Sequence, residues 1–387
     1  MATIDGFRKL LNSLIITSKV TGVEMWTAPG KFVPASYYLS FHVFVYFVGT
    51  IYTLRKYADD PVYMMKVLIT LGIAVQLYIK IFVMHWKADG IKKFSEKIES
   101  DILEVYQNGS AEETAVLKRN GRYLFIILRI LIIIAFCAGT SFGLYPLLVY
   151  YVTGEVIPLF LYELPFCDWR TTSGYVISML FQVNLLVIGI VGSILSDFLF
   201  LMYVMYAIAR ADILIVHLRE LEILLNDNET NEVILRQQWR QCMYDHQQST
   251  EFLNNAEDYF GLMCLVQVVM GVFTICDGMV LVVLTDWYPP YCFMMVGFFE
   301  LTIYFVIGHI AEVKIDEMYD TIISMPWYKL PVQHQKEFNL FLCRQQRPMM
   351  LTAYGFHPLN FEAYMSVLKR LYQFFVLILQ YVGSNND

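Results

Sequence analysis

Charge is scarce in this sequence. Only 16% of its 387 residues are Asp, Glu, Lys or Arg, while 57% are hydrophobic; soluble domains carry about 25% charged residues. An ordered cysteine pattern is missing too. The seven cysteines are an odd number, with no CxxC pair and no Cys/His ligand spacing, which argues against a disulfide framework or a zinc site. Cys137, Cys264 and Cys276 lie in apolar blocks and read as packing residues. Cys167 and Cys292 fall near the same end of the expected bundle, which leaves a bridge between them open. The sequence also lacks a cleavable secretory signal, an internal repeat, a low-complexity tract and a phosphate-binding glycine loop. No Ser/His/Asp, metal or paired-carboxylate set forms a coherent site. No enzymatic chemistry, cofactor or nucleic-acid partner is therefore expected.

What is present is long apolar blocks. A hydrocarbon core of about 30 Å needs about 20 helical residues, and seven blocks meet that need. They are Ser36 to Leu54, Met64 to Met84, Leu124 to Val152, Tyr175 to Ala207, Phe260 to Leu284, Tyr291 to Ala311 and Phe361 to Val382. The third and fourth exceed the minimum and should tilt or project. Tyr37, Tyr38, Tyr150, Tyr151, Trp169, Tyr175, Trp287 and Tyr291 sit at block ends, where interfacial aromatic belts belong. The fold class is thus an all-α membrane protein with seven transmembrane helices. Its parts are an N-terminal cytoplasmic or interfacial segment (1–35), helices one to six (36–311), a cytoplasmic segment (312–360) and the seventh helix with a short tail (361–387).

Basic residues set the orientation. One side holds Arg8, Lys9, Lys19 and Lys31, then Lys87, Lys92, Lys93, Lys97, Lys118, Arg119 and Arg122. It also holds Arg210, Arg219, Arg236 and Arg240, then Lys314, Lys329, Lys336, Arg344 and Arg347. The other side holds only Arg55, Lys56 and Arg170. Positive charges stay inside, so the N-terminus is cytoplasmic and the C-terminus extracellular. A G-protein-coupled receptor has the opposite orientation, and its Asp-Arg-Tyr and Asn-Pro-x-x-Tyr signatures are absent. Two sequons, Asn108-Gly109-Ser110 and Asn228-Glu229-Thr230, fall on the cytoplasmic side and should stay unglycosylated.

The segments between spans carry structure. Phe7, Leu10, Leu11, Leu14 and Ile15 keep helical spacing, which fits either a helix on the membrane surface or a helix packed on the protein. Ile208 to Leu225 and Val233 to Tyr259 should extend the fourth and fifth spans, and Gln335 to Arg347 reads as a further cytoplasmic helix. The outer loop Thr153 to Gly174, with Pro158, Pro165, Gly154 and several aromatics, reads as an ordered lid.

In the last block, Glu362, Ser366, Lys369, Gln373, Leu377 and Gln380 recur at steps of three and four and share one helix face. Lipid cannot satisfy such groups. Two readings stand: a stripe hydrogen-bonded to neighbouring helices, or the wall of a water-filled pore in which Leu377 forms a dewetting gate. A pore needs several copies around an axis.

Trp327-Tyr328, Gln346-Arg347-Pro348, Leu351-Thr352-Ala353, Phe356-His357-Pro358-Leu359 and Val367-Leu368-Lys369, ending in Tyr372, form an ordered set. It resembles the C-terminal signature of insect odorant receptors, with Gly308 and Glu312 fitting the sixth-span exit. The sequence departs from that signature at Leu371 and Gln373, where small hydroxyl residues are common. The resemblance implies an odorant-binding subunit of a ligand-gated cation channel in the plasma membrane of sensory neurons. It implies a heterotetramer with a shared co-receptor, a cytoplasmic anchor from the fourth to seventh helices, and a cation pore lined by the outer half of the last helix, at Gln373, Leu377 and Gln380. The co-receptor's long extra cytoplasmic loop is absent, so the chain resembles a ligand-tuned subunit. Gustatory receptors share the architecture. A transporter would show inverted repeats with broken helices.

The resemblance further implies a pocket for a small volatile ligand in the outer half of spans two, three, four and six. The candidates there are Ile69, Ile73 and Gln76; Ser141, Phe142 and Tyr145; Met179 and Gln182; and Met294 and Phe298. Gln76, Ser141, Tyr145 and Gln182 could hydrogen-bond a carbonyl or hydroxyl. Asp197 and Asp277 are acids within apolar spans, costly unless paired or hydrated. Lys80 and His309 sit near inner span ends, where snorkelling would explain them. Ligand binding would favour an open arrangement and widen the ring at Leu377.

Overall fold

A computed structural model describes residues 4–227, 231–346 and 350–384. Asn228-Glu229-Thr230, Arg347 and Pro348 lie outside the described residues.

Ten α-helices run through the described chain: α1 (Ile4–Val20), α2 (Pro34–Lys56), α3 (Pro61–Trp86), α4 (Ala88–Asn108), α5 (Ala111–Thr153), α6 (Thr172–Asn226), α7 (Glu232–Leu284), α8 (Pro289–Ser324), α9 (Val332–Gln345) and α10 (Phe361–Ser384). No strand forms among the described residues; Thr352 and Pro358 make an isolated antiparallel bridge. The start signals are local. Asp60 caps α3, Thr171 caps α6 and Asn231 caps α7, each accepting from a backbone N–H of the first turn. Ser110 and Glu113 form a reciprocal capping box at α5, so the hydroxyl of the first sequon is engaged in starting a helix.

Six helices, α2, α3, α5, α6, α7 and α8, are long and apolar enough to cross a membrane. They contain the first six expected spans. The seventh, α10, is 24 residues long but carries Glu362, Lys369 and Arg370 in its first ten residues. The projections from the bilayer are large. At 1.5 Å per residue the 55 residues of α6 reach about 80 Å, far beyond a hydrocarbon core. The expected extensions of the fourth and fifth spans are continuous with them in α6 and α7, and α8 extends likewise to Ser324.

Two segments differ from the sequence reading. Residues Ile91, Phe94, Ser95, Ile98, Ile102 and Val105 place a buried stripe on α4, a helix the sequence reading leaves out although the spacing is helical. Phe94 stacks on Tyr203 at 4.7 Å, and Ser95 Oγ lies 2.7 Å from the Tyr203 hydroxyl. Second, α1 packs on the protein: Phe7, Leu11 and Leu14 join the main core, and Arg8 bonds Glu99 of α4. The membrane-surface alternative for this helix gives way to the packed one.

Apolar packing falls into three zones. The main core joins all the long helices. An outer cluster sets Tyr46, Val67 and Phe142 against Leu159, Phe160 and Tyr162 of the α5–α6 loop. An inner cluster gathers Leu214, Leu218 and Leu221 of α6, Trp239 of α7, Met318 and Ile322 of α8, and Phe338 and Phe341 of α9. The connection into α10 passes so close to α8 that a Cβ on Gly308 would collide with the Leu359 carbonyl oxygen. Glycine is what permits that approach.

The inner end also holds buried charge. His217 Nδ1 sits 2.6 Å from Asp245 Oδ2, its Nε2 lies 3.4 Å from Glu113 Oε1, and Arg210 donates to Asp245 Oδ1 at 2.8 Å. Burial alone would lower the His217 pKa. Asp245 and Glu113 outweigh it and hold the imidazole at about 9, while the His217 bond draws Glu113 down to about 2. An unfolded histidine titrates near about 6.5, so the raised folded value makes a stabilising contribution that is full below that pH. It disappears as pH rises through about 9. The thermal midpoint of the detergent-solubilised protein should therefore fall between about pH 7 and about pH 9.5, and His217→Asn should flatten that slope. An unchanged slope in the variant would assign the pH response to other groups.

Candidate functional site

A cavity of about 200 Å³ opens among α2, α3, α5, α6 and α8. Its upper wall is aromatic. The ring of Phe142 of α5 lies 5.2 Å, centroid to centroid, from Phe160 of the α5–α6 loop and 5.0 Å from Phe293 of α8. Leu77, Leu131, Ile134 and Ile190 supply aliphatic surface. Its floor is polar. Lys80 Nζ donates to Asp197 Oδ1 at 2.7 Å, and the Tyr304 hydroxyl donates to the same oxygen at 2.7 Å. The Lys80 side chain is fully buried, so it is a paired interior charge and does not snorkel. Asp197, flagged as costly unless paired, has its partner. Ser193 stands one turn above and reaches Asp197 Oδ2 at 3.4 Å.

A smaller annex of about 50 Å³ adjoins the cavity and shares Ile73, Leu77, Ser193 and Glu300 with it. Three side chains close a ring at its edge. Gln76 Nε2 donates to Gln267 Oε1 at 2.6 Å and to Glu300 Oε2 at 2.9 Å, and Gln267 Nε2 donates to Glu300 Oε2 at 2.8 Å.

The ten candidates separate in space. Ile73 and Phe142 line the cavity, and Gln76 lines the annex. Gln182 is buried beside them but spent on the lid: its Oε1 accepts from Phe160 N at 3.0 Å and its Nε2 donates to Phe160 O at 3.1 Å. That bond fixes the ring that roofs the cavity, so the outer loop is ordered and capping in the way its composition suggested. Met179 packs in the outer cluster against the same loop. Ile69 and Met294 meet at Gly278 of α7, on the far side of α3 and α8. Phe298 packs into the main core. Ser141 is exposed and Tyr145 half-buried, and neither lines the cavity.

Sequence reasoning missed three features. Val43 and Tyr46 bring α2 into the wall, whereas the sequence places the pocket among spans two, three, four and six. The lid itself contributes Phe160. Glu300 is a third acid within an apolar span, and an intramembrane carboxylate is itself a signal. Asp277 is buried, and its Oδ2 has no hydrogen-bond partner among the described residues. His309 pairs with Glu312 at 3.2 Å and rests on Phe361. The seven cysteines, Cys167 and Cys292 included, are free. Cys167 lies within 3.4 Å of the Gly174 carbonyl and Cys292 near that of Ala138, on separate elements.

On α10, Ala363, Leu371 and Ile378 are buried, and Val367 and Leu368 pack on the main core. The opposite face is open. Glu362, Ser366, Lys369, Gln373, Leu377 and Gln380 are all exposed, Leu377 at 63%. Among the described residues none of these side chains is hydrogen-bonded to another helix of the same chain.

A family model described as 7tm Odorant receptor matches residues 60–372. The chain is similar to putative odorant receptor 83c of Drosophila melanogaster, at 20% identity over 96% of this chain and 97% of that one. It is also similar to odorant receptor 30a of the same insect, at 22% identity over 76% of each. In three dimensions it resembles the insect olfactory receptor OR5 from Machilis hrabei, solved in complex with eugenol. The TM-score is 0.73 at 13% sequence identity, covering 97% of this chain and 99% of that one. A second structure of the same receptor gives a TM-score of 0.71 at 12% sequence identity.

Proposed function

The chain belongs to the insect 7tm odorant receptor family, and from that premise we propose that it is the ligand-tuned subunit of an odorant-gated cation channel, assembled with a co-receptor in the plasma membrane of sensory neurons. The cavity between α3, α5, α6 and α8 takes the odorant. Its volume is below the roughly 300–1,000 Å³ of drug-sized sites, which suits a one-ring or short-chain volatile. Charge-based orientation puts this cavity toward the outside and the α6–α9 cluster in the cytosol.

One observation carries the channel reading: the exposed polar face of α10. Groups such as Gln373 and Gln380 are costly against lipid, yet the packed face of the same helix leaves them without a partner among the described residues. Several copies around an axis would turn that face onto water, with Leu377 as the apolar ring. Odorant binding that favours the open arrangement then shifts the gate population. Phe142 and the lid connect the cavity to α5 and α6, while α8, which supplies Phe293 and Glu300, also packs against α10 through Thr302 and Tyr364. That makes α8 the natural mechanical link between ligand and pore.

The test is expression with a co-receptor in oocytes. Odorant-evoked current should persist when G-protein signalling is blocked, and Gln373→Cys and Gln380→Cys should become reactive to aqueous thiol reagents in the open state. Current that vanishes with G-protein block, or cysteines unreachable in open channels, overturns the proposal.

A further inference from the structure

We propose that Glu300 makes the cavity selective for small apolar molecules that carry a hydrogen-bond donor, a protonated amine above all. This rests on the cavity being the odorant site. The Glu300 carboxyl is held from one side only. Both amide donors, from Gln76 of α3 and Gln267 of α7, converge on Oε2. Oε1 accepts no hydrogen bond among the described residues, and Glu300 borders both the cavity and its annex. No Lys, Arg or His pairs with it among those residues. The nearby ammonium of Lys80 is already engaged by Asp197 at 2.7 Å. The cavity is therefore bordered by Asp197, which is already paired with Lys80, and by one carboxyl that has no cationic partner among the described residues.

Chemistry decides what such a carboxyl prefers. An isolated charge in an apolar interior is costly unless it is paired. A ligand ammonium would neutralise it through a charge-assisted hydrogen bond, roughly twice as strong as a neutral one. An alcohol would give one donor bond. An ether would offer only lone pairs and would leave Oε1 bare. The donors on Oε2 hold the group in place before the ligand arrives, so little ordering is needed on binding. The annex has room for the polar head. Its 50 Å³ compares with about 10–15 Å³ for a single water-sized sphere. Its wall also presents Thr274 Oγ1, a buried hydroxyl without a partner among the described residues. The ring or chain of the ligand would then lie against Leu77, Phe142 and Phe293.

A matched panel tests this on the channel formed with a co-receptor: benzylamine, benzyl alcohol, benzaldehyde and benzyl methyl ether, each read as half-maximal concentration for current. The amine should act at a concentration at least about tenfold below the ether, equivalent to about 1.4 kcal/mol, with the alcohol between. Glu300→Gln, checked for surface level, should shrink the amine–ether gap to less than about threefold. The wild-type ranking stands as a test even if the variant does not reach the surface. An ether or aldehyde as potent as the amine, an undiminished gap in Glu300→Gln, or silence toward all four overturns the role of Glu300. Phe142→Trp separates this from the premise. If it abolishes the response to active volatiles whatever their polar group, the cavity is the odorant site regardless of Glu300. If responses survive it, the cavity itself is misassigned.

Discussion

Asp197→Ala should destabilise the receptor by about 3–5 kcal/mol, the range for removing one partner of a buried ion pair. Lys80 has no route to water: its side chain is fully buried and the Asp197 side chain 5% exposed. The aspartate also receives the Tyr304 hydroxyl, and Lys80 lies 5.3 Å from the Tyr304 ring centroid. Removing the carboxylate leaves an ammonium and a phenol without their acceptor beneath the cavity. Thermal unfolding in detergent and surface abundance should both fall sharply. The paired replacement Lys80→Met with Asp197→Leu should recover most of the loss, because two well-packed apolar residues often equal or exceed a buried pair. If the single variant behaves like the wild type, the pair is not sealed from water as the structure has it. If the double variant is as poor as the single, the pair does more than neutralise itself.

The second large effect lies at the opposite end. Trp239→Ala should cost about 3–5 kcal/mol, the usual penalty for emptying a buried tryptophan site. The Trp239 ring is fully buried where α6, α7, α8 and α9 converge. Its ring centroid lies 5.8 Å from that of Phe341 and 6.3 Å from that of Phe338, and its indole N–H donates to Glu337 Oε2 at 2.7 Å. This cluster is distinct from the main core, so the loss should be local. Hydrogen exchange should rise in α9 and in the ends of α6 and α7 that adjoin it, while the half-maximal odorant concentration of the channels that still assemble stays unchanged. Trp239→Phe should retain much of the stability, since most of the ring volume remains. A changed odorant potency would show instead that the cluster is coupled to the cavity.

The two ends differ in how far the sequence could describe them. The Asp197 charge was visible as an anomaly, but its partner Lys80 lies 117 positions away in the chain, and no local pattern joins them. Trp239 is one aromatic in an amphipathic stretch, and only the convergence of four helices gives it a neighbourhood.

The amino-acid order alone determined the all-α class, the position of the spans and the helical continuation of the fourth and fifth into the inner region. It did so because burial in hydrocarbon demands long uninterrupted apolar helices, a constraint that acts along the chain. It also determined the polar stripe of α10, since a period of 3.6 residues assigns faces without any knowledge of neighbours. Tertiary structure alone decided whether that stripe was buried, which of the ten pocket candidates met in one cavity, and that Glu300 faced it half-satisfied. Those outcomes depend on helix rotation and on which helices touch. Both are fixed by packing between residues far apart in sequence, where composition and periodicity carry no information.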